Sequence, residues 1–209
     1  MKYKLTDETK EVLGRTLHRI VCVTAFANVA AGELGGWIES EKNLDQSGDA
    51  WVSGDAQVYG NALVYGNALV YGDARVSGDA LVYGDARVSG NARVYGNARV
   101  SGDAWVHGDA QVYGNALVSG DAWVSGDAQV SGNALVKKTT DYIVLKNNWS
   151  SCRYFTYTLS NKIWRVGCFY GTGEELIKKA YADSELSGKC YEAAVRYVEA
   201  LEKIQAEDK

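Results

Sequence analysis

The central part of the chain repeats one pattern of apolar and polar positions every six residues. From Gly48 to Val136 each unit reads Gly, Asp or Asn, Ala, a variable residue, Val and most often Ser or Tyr. Ala and Val lie two positions apart, so in an extended segment they face one side while the variable residue faces the other. Gly followed by Asp or Asn readily forms a tight corner. Each unit therefore predicts one short strand and one corner.

The variable positions indicate how these strands stack. Units whose variable residues are Trp, Gln and Leu follow one another from positions 48, 102 and 120, and these starting points differ by multiples of 18. Three units thus make one turn of a coil, and residues 48–137 make five turns. Turns stacked about 4.8 Å apart place fifteen valines, from Val52 to Val136, along the axis. At about 1.5–3 kcal/mol for each buried side chain, these valines are the largest stabilising contribution that the sequence predicts.

The repeat resembles the hexapeptide-repeat left-handed parallel β-helix superfamily, whose members place an aliphatic residue, a small residue and two corner residues at these spacings. The leader, with KYKLT at 2–6 and GGWIES at 35–40, also resembles uncharacterised hexapeptide proteins of bacteria and phages, some of them labelled acetyltransferases. The superfamily resemblance implies a left-handed solenoid that assembles as a trimer. Many members are acyltransferases in which a histidine is the general base and the coenzyme lies between subunits.

The residues before the repeat predict a cap. Segments 2–5 and 16–24 alternate around a polar turn, and a stretch rich in Gly and Ala follows them. An open solenoid end exposes unpaired backbone groups that invite further stacking. We therefore predict a β-hairpin and an imperfect first turn over residues 1–47.

The period ends after residue 137, and residues 138–209 predict a small α+β domain. Extended segments at 142–146, 153–159 and 163–169 predict a meander, and Thr172 with Glu175 forms a capping box that begins a first helix. A second helix, from about 188 to 205, has one apolar stripe. The stripe consists of Tyr191, Ala194, Val195, Val198, Leu201 and Ile204. The whole sequence thus predicts an all-β solenoid with an N-terminal β cap and a small C-terminal α+β domain.

Composition and charge are those of a soluble, cytoplasmic protein. Hydrophobic residues make up 46% and charged residues 23% of the chain, near globular averages, and no apolar run is long enough to span a bilayer. No export signal is recognisable, and four cysteines without a Cys-x-x-Cys pair suggest reduced thiols. A net charge of −4 argues against nucleic-acid and membrane partners.

Catalytic chemistry has one weak candidate, His107. It and His18 are the only histidines of the chain. His107 takes an outward position between Ser89 and Ser125 of its column, where no partner orients it as a general base. No inserted loop builds a pocket beside it. Acyl transfer from coenzyme A is therefore an alternative to the predicted function, and no cofactor is expected.

The corner positions carry carboxylates, which raises the question of a metal site. One column consists of Asp49, Asn67, Asp85, Asp103 and Asp121, and hard cations prefer clustered oxygen ligands. Asp and Asn interchange freely in these columns, however, and Asn replaces a charged ligand poorly. The interchange favours hydrogen bonding to the backbone, so we predict no metal site.

The arginines of the repeat are confined to its middle. The set is Arg75, Arg87, Arg93 and Arg99, with Tyr71, Tyr83 and Tyr95 within one turn of them. Arg75 and Arg93 share one column, and the other two arginines occupy the neighbouring sides. Guanidinium groups bind phosphate through paired donors and stack on aromatic rings. This set predicts a site for an anionic ligand such as a nucleotide; the alternative is that the arginines pair with aspartates on a solvated surface.

Two columns are more apolar than an isolated surface requires. One consists of Leu63, Leu81, Leu117 and Leu135 with Tyr65 and Tyr83, and the other of Trp51, Trp105 and Trp123. Ladders of large apolar side chains mark contact surfaces. They predict a homo-oligomer, with a trimer favoured by the superfamily resemblance. A tryptophan platform for carbohydrate or for a host protein is the alternative.

These observations together predict a non-catalytic, oligomeric binding protein of phage or prophage type. It would sequester a small anionic ligand, such as a nucleotide signal, or a host protein. Two alternatives remain open at this point, an acyl-coenzyme A dependent acyltransferase and a structural spacer or polymer unit.

Overall fold

A computed structural model describes residues 1–207 of the chain. The chain folds as two compact units, the first Met1–Asp141 and the second beginning at Tyr142. Within the described residues no helix combines the length and the apolar character that crossing a bilayer requires.

The first unit begins with an antiparallel hairpin of β1 (Tyr3–Val12) and β2 (Arg15–Cys22). Its turn residues, Leu13 and Gly14, have positive φ angles of 51° and 74°. Strand β3 (Leu34–Ile38) pairs antiparallel with β2 on one side and parallel with the first full turn of the solenoid on the other. The hairpin therefore shares one continuous sheet with the solenoid.

The solenoid consists of fifteen two-residue strands, each made of one variable residue and the valine that follows it. The strands pair in parallel with those 18 residues away, at the period that the variable positions predict. They are β4 Trp51–Val52, β5 Gln57–Val58, β6 Leu63–Val64, β7 Leu69–Val70, β8 Arg75–Val76, β9 Leu81–Val82, β10 Arg87–Val88, β11 Arg93–Val94, β12 Arg99–Val100, β13 Trp105–Val106, β14 Gln111–Val112, β15 Leu117–Val118, β16 Trp123–Val124, β17 Gln129–Val130 and β18 Leu135–Val136.

Parallel pairing arranges the strands in three walls. The cap wall contains β3, β5, β8, β11, β14 and β17 and continues the hairpin. The tryptophan wall contains β4, β7, β10, β13 and β16, and the leucine wall contains β6, β9, β12, β15 and β18. Strand β3 and a bridge between Leu44 and Val64 add a partial turn at the start, so the solenoid has about six turns.

Valine and alanine side chains fill the solenoid interior. All fifteen valines are 0% exposed, and the alanines are at most 1% exposed. Gly78 shows why glycine occupies the corners: its φ is +69°, and a Cβ there would lie 2.9 Å from the backbone nitrogen of Gly96. Any other residue at Gly78 would be strained both by its φ and by the backbone of the next turn.

The N-terminal segment closes the first turn by donating to its carbonyl groups. Solenoid N–H groups of the parallel ladders donate toward the following turn, so the ladder carbonyls of the first turn need donors from the residues that precede it. Lys2 Nζ donates to the Ala50 carbonyl at 2.8 Å. The fully buried Asn43 donates through Nδ2 to the carbonyls of Gly60 at 3.0 Å and Ala62 at 2.8 Å. This segment thereby satisfies acceptors that would otherwise form an open edge.

The second unit is a four-stranded antiparallel meander followed by two helices. The elements are β19 Tyr142–Lys146, β20 Tyr154–Thr158, β21 Ile163–Val166, β22 Phe169–Gly171, α1 Gly173–Asp183 and α2 Glu185–Glu207. The sequence predicts one strand over 163–169, which is wrong: the positive φ of Gly167, 57°, turns the chain and separates β21 from β22. The predicted capping box is present, because Thr172 and Glu175 bond reciprocally at the start of α1.

One core stabilises the second unit. It consists of Phe155, Tyr157, Trp164, Leu176, Ile177, Ala180, Tyr191, Val195 and Val198. Ile204 was predicted on the buried stripe of the second helix, but it is 57% exposed. Leu186 and Tyr197, also exposed, precede Ile204 on the same side of α2, because Leu186 is 11 residues before Tyr197 and Tyr197 is 7 residues before Ile204, both close to whole numbers of helical turns. This side is opposite to that of Val195 and Val198.

Candidate functional site

The four repeat arginines lie on all three walls of the solenoid. Arg75 and Arg93 are direct neighbours in register on the cap wall. Arg87 lies on the tryptophan wall beside Leu69 and Trp105, whereas Arg99 lies on the leucine wall. The structure therefore brings together one pair of the predicted arginines and leaves the other two outside that pair.

A cleft of about 250 Å³ surrounds the Arg75 and Arg93 pair. Its walls are outward-facing side chains from three consecutive turns, because the strand position and the corner position two residues earlier both point away from the valine interior. The strands contribute Arg75, Arg93 and Gln111, and the corners contribute Asp73, Asn91 and Asp109.

In the described part of the chain the two guanidinium groups of this cleft have no carboxylate partner at ion-pair distance. Within residues 1–207 neither Arg75 nor Arg93 takes part in an ion pair. The neighbouring corner acid Asp109 instead accepts a hydrogen bond from Asn91 Nδ2 at 3.1 Å. The aspartates Asp73 and Asp109 line the same cleft but lie beyond ion-pair distance of the two arginines, so the alternative of a solvated arginine–aspartate surface stays open. Two like charges side by side on adjacent strands are unfavourable unless an anion joins them.

Positive charge continues from the cleft onto the hairpin. The cap-wall column runs from Trp37 through Gln57 to Arg75, and Lys10 Nζ lies 4.2 Å from the centre of the Trp37 ring. Burial lowers the pKa of Lys10; Asp55 opposes this shift, while the positive charges of Arg19 and Arg75 add to it. The ammonium group of Lys10 is therefore close enough to Arg75 to be affected by its charge.

Sequence reasoning missed Lys10 and its neighbour Arg19, whose guanidinium carbon lies 5.3 Å from the centre of the Trp37 ring. Neither residue belongs to the repeat, so the six-residue period says nothing about their position. The sequence signal that could have located them is the GGWI segment at residues 35–38, in which two small residues are followed by two large ones. This order fits a strand that joins the first turn of the solenoid. Its pairing with the solenoid places the hairpin charges beside the cap wall.

Only one of the three predicted tyrosines lies on the wall of the arginine pair. The Tyr95 hydroxyl donates to Gln111 Oε1 at 3.4 Å, and its ring stacks on Tyr113 with 4.8 Å between centroids. Tyr83 stacks on Tyr65 at 4.9 Å on the leucine wall, and Tyr71 follows the tryptophan-wall strand β7. Tyr71 and Tyr83 are therefore not part of the cleft.

His107 lies against two indole rings rather than beside an acid. Its ring centroid is 5.0 Å from that of Trp105 and 5.4 Å from that of Trp123. The Nε2 atom is buried and has no hydrogen-bond partner within the described residues. A general base needs an accessible nitrogen and a group that orients the ring, and this geometry supplies neither at Nε2.

Fewer tryptophans of the predicted column are exposed than the sequence indicates. Trp51 is only 3% exposed, because it packs edge-on against Phe26 at 5.5 Å between centroids. The N-terminal segment therefore covers Trp51, which is not available to a partner. Trp105 and Trp123 stack at 5.2 Å with an interplanar angle of 5°, and Trp123 is 47% exposed.

An arginine side chain interrupts the column of leucines on the leucine wall. Leu63 pairs with Leu81, and Leu117 pairs with Leu135, but Arg99 stands between the two pairs in the same column. All four leucines are half-buried. The wall therefore presents two apolar patches on either side of one guanidinium group.

A second cavity, of about 240 Å³, lies in the second unit. Its charged lining residues, Lys162, Glu174, Glu199 and Glu202, each form an ion pair. The Tyr157 hydroxyl also donates to Glu202 at 2.9 Å. Burial raises the pKa of Tyr157, and the nearby Glu202 raises it further. The three glutamates share two cations, Lys162 and Arg196, so among the described residues this cavity has no cation that could serve an anionic ligand without first leaving an ion pair.

The described part of the chain contains no group of three or more His, Cys, Asp or Glu side chains arranged to hold a metal ion. Three of the corner carboxylates in this part accept a hydrogen bond from the asparagine of the preceding turn, as Asp85 does from Asn67 Nδ2 at 3.0 Å.

Comparison with known families identifies only the repeats. A family model described as the YdcK beta solenoid repeat matches residues 56–72, 68–84, 74–90, 80–94, 92–108 and 110–126. A comparison with curated proteins finds no match. The matched stretches lie between β5 and β16 and include both arginines of the cleft. Through these turns the chain is similar to YdcK beta solenoid repeats.

Proposed function

We propose that the protein is a non-catalytic binding protein that holds a small anionic ligand, such as a nucleotide, in the cleft of Arg75 and Arg93. The observation that carries this proposal is the pairing of two arginines in register over a cleft of about 250 Å³, where neither forms an ion pair with any residue of 1–207. A phosphate group between the two guanidinium groups offsets their mutual repulsion and accepts hydrogen bonds from both.

The spacing of the solenoid suits such a ligand. Adjacent turns lie about 4.8 Å apart, so guanidinium groups from successive turns can donate to oxygens of one phosphate. The backbone beneath them is fixed by parallel ladder bonds, such as Arg75 N to Ala92 O at 2.9 Å, which limits the reorganisation that binding requires. Lys10, within the field of Arg75, supplies a third positive charge.

Calorimetric titration with adenosine monophosphate at low ionic strength tests the proposal. The double variant Arg75→Ala, Arg93→Ala should lower the affinity at least tenfold. Its matched control is Arg87→Ala, Arg99→Ala, which removes the same charge from the other two walls. Equal losses of affinity in both double variants would show that the arginines act only through their general charge and would contradict the proposal. A wild-type protein that does not bind adenosine monophosphate would also contradict it.

Absence of catalysis is part of the proposal and rests on His107. Its ring packs against the indole rings of Trp105 and Trp123, its Nε2 atom is buried, and within residues 1–207 no carboxylate bonds to the ring. Turnover of an acetyl-coenzyme A panel with candidate acceptors, lost in His107→Ala, would overturn this part of the proposal. A panel without turnover in either protein supports it.

We further propose that copies of the chain associate through the leucine wall as a homo-oligomer, with a trimer favoured. The half-buried leucines and the stacked Tyr65 and Tyr83 support this surface. Multi-angle light scattering should report a discrete oligomer that Leu81→Lys, Leu117→Lys dissociates. The matched control, Leu69→Lys on the tryptophan wall, should leave the oligomer intact. A monomeric wild type, or an assembly that grows with concentration, would contradict this surface as a closed interface.

A further inference from the structure

We propose that the anionic ligand is a phosphorylated sugar, whose hydroxyl groups are recognised by Asp109 and Gln111 one turn beyond Arg93. This inference rests on the proposed function, since it concerns the same cleft. It starts from the observation that the cleft is not uniformly cationic: the third turn has Gln111 where the first two have arginine, and its corner residue is the carboxylate Asp109.

The three turns of the cleft differ in what they offer a ligand. The first contributes Asp73 and Arg75, the second Asn91 and Arg93, and the third Asp109 and Gln111. The two arginines provide donors for one anionic group. The third turn provides a carboxylate and an amide side by side, about 4.8 Å further along the axis.

Existing hydrogen bonds orient the polar groups of the third turn. Asp109 Oδ1 accepts from Asn91 Nδ2 at 3.1 Å, which leaves Oδ2 as an acceptor for a ligand. Gln111 Oε1 accepts from the Tyr95 hydroxyl at 3.4 Å, so the two donors of Nε2 remain for a ligand. A hydroxyl group both donates and accepts, and a carboxylate beside an amide N–H complements it on both counts.

Asp109 also excludes ligands with a second anionic group at this position. A phosphate placed one turn beyond the first would lie beside the Asp109 carboxylate and be repelled by it. Asp73, at the opposite end of the cleft, imposes the same restriction. The cleft therefore favours one phosphate with uncharged hydroxyls about 5 Å away, which is the chemistry of a sugar monophosphate, and disfavours pyrophosphate.

Titration calorimetry with ribose 5-phosphate, inorganic phosphate and pyrophosphate tests this inference. The wild-type protein should bind ribose 5-phosphate at least tenfold more tightly than inorganic phosphate, and pyrophosphate more weakly than either. In Asp109→Ala, Gln111→Ala the preference for ribose 5-phosphate over inorganic phosphate should disappear. The matched control is Asp127→Ala, Gln129→Ala, which changes the same two residue types one turn further on, outside the cleft, and should keep the preference.

The outcomes separate this inference from the proposed function. Equal wild-type affinities for ribose 5-phosphate and inorganic phosphate, both lost in Arg75→Ala, Arg93→Ala, would overturn sugar recognition and leave the anion site standing. An Asp109→Ala, Gln111→Ala variant that gains affinity for both ligands by the same factor would also overturn it, because the carboxylate would then act by charge alone. If the wild-type protein binds none of the three ligands, both sugar recognition and the proposed anion-binding function are overturned.

Discussion

The solenoid and the second unit are stabilised in different ways. In the solenoid the same contact recurs at every turn between residues 18 apart, as Trp105 with Trp123 illustrates. In the second unit the contacts join positions with no repeating separation: Asn147 Nδ2, for example, donates to the hydroxyl of Tyr191, 44 residues away, at 2.9 Å. One unit depends on many equivalent contacts and the other on a single set of unlike ones.

This difference shows where sequence variation can serve function. Because valine and alanine fill the solenoid interior, the variable position carries no interior packing role and can hold arginine, glutamine, leucine or tryptophan without altering the fold. The large side chains of the second unit are instead committed to its core, where Trp164 is 2% and Tyr157 5% exposed. The candidate binding residues accordingly lie in the repeat.

The most severe test of the comparison is a charge in the solenoid interior. Val94 is 0% exposed and has valines of the neighbouring turns on both sides, so the carboxylate of Val94→Asp would be buried without a partner. We expect a loss of more than about 4 kcal/mol and unfolding of the solenoid. Hydrogen exchange read by mass spectrometry should show lost protection in peptides from residues 48–136.

The reciprocal variant is Val195→Asp, which places the same charge in the core of the second unit, where Val195 is 1% exposed. It should remove protection from residues 142–207 and leave the solenoid peptides protected. If either variant unfolds both regions together, the two units are not separately stabilised and the comparison fails.

The second test concerns the corners. Gly78→Ala combines a positive φ with a Cβ that would lie 2.9 Å from the Gly96 nitrogen, whereas at Gly126 the φ is +60° and nothing lies within 4 Å of the added Cβ. We expect a loss of about 3 kcal/mol for Gly78→Ala and about 1 kcal/mol for Gly126→Ala. Urea denaturation of both variants measures the difference, and equal losses would show that the stacked backbone adds nothing to the φ penalty.

The repeat was predictable because its six-residue period determines which residues face inward and which residues stack. One turn of 18 residues, the inward valines and the column of Arg75 with Arg93 all follow from spacing, and the ladder pairing confirms them. The capping box of Thr172 and Glu175 was predictable for a similar reason, since it depends on residues three apart. Local and periodic information is sufficient for contacts of this kind.

Contacts between unlike segments were not predictable. Burial of Trp51 by Phe26, and the approach of Lys10 to the cap wall, depend on how the hairpin pairs with the first turn. No sequence period links these residues. Ile204 is a different case: it lies nine residues, about two and a half helical turns, after the buried Val195, so helix geometry itself places it on the exposed side of α2.

A third, smaller effect is expected where the hairpin segment meets the repeat. Asn43→Ala removes hydrogen bonds to the part-buried carbonyl of Gly60 and the buried carbonyl of Ala62 and leaves these acceptors without a donor, which should cost about 2 kcal/mol. Its control is Asn61→Ala, because Asn61 donates to Asp79 at 2.9 Å on the exposed surface and should cost less than about 0.5 kcal/mol. Similar losses in urea denaturation would contradict a special role for the first turn.

The smallest expected effect lies in the second unit, at the start of α1. Thr172 Oγ1 accepts from the Glu175 backbone N–H, and the Glu175 carboxylate accepts from the Thr172 N–H at 2.8 Å. Thr172→Ala should destabilise this unit by about 1 kcal/mol, while Thr172→Ser, which keeps the hydroxyl, should be nearly neutral. Hydrogen exchange in peptides from Gly173–Asp183 reports the loss, and solenoid peptides should be unchanged in both variants.

Acidification should reproduce part of the Thr172→Ala effect. The hydrogen bonds from Thr172 lower the pKa of Glu175 below its ordinary value of 4.5. A carboxylate whose pKa is lower in the folded state than in the unfolded state stabilises the fold at pH values above its ordinary pKa. This contribution is lost as the pH falls through the lowered pKa. The difference in stability between wild type and Thr172→Ala should therefore shrink below pH 4.5, because protonated Glu175 no longer completes the capping box. A difference that stays constant from neutral to acidic pH would show that the Thr172 hydroxyl acts without Glu175.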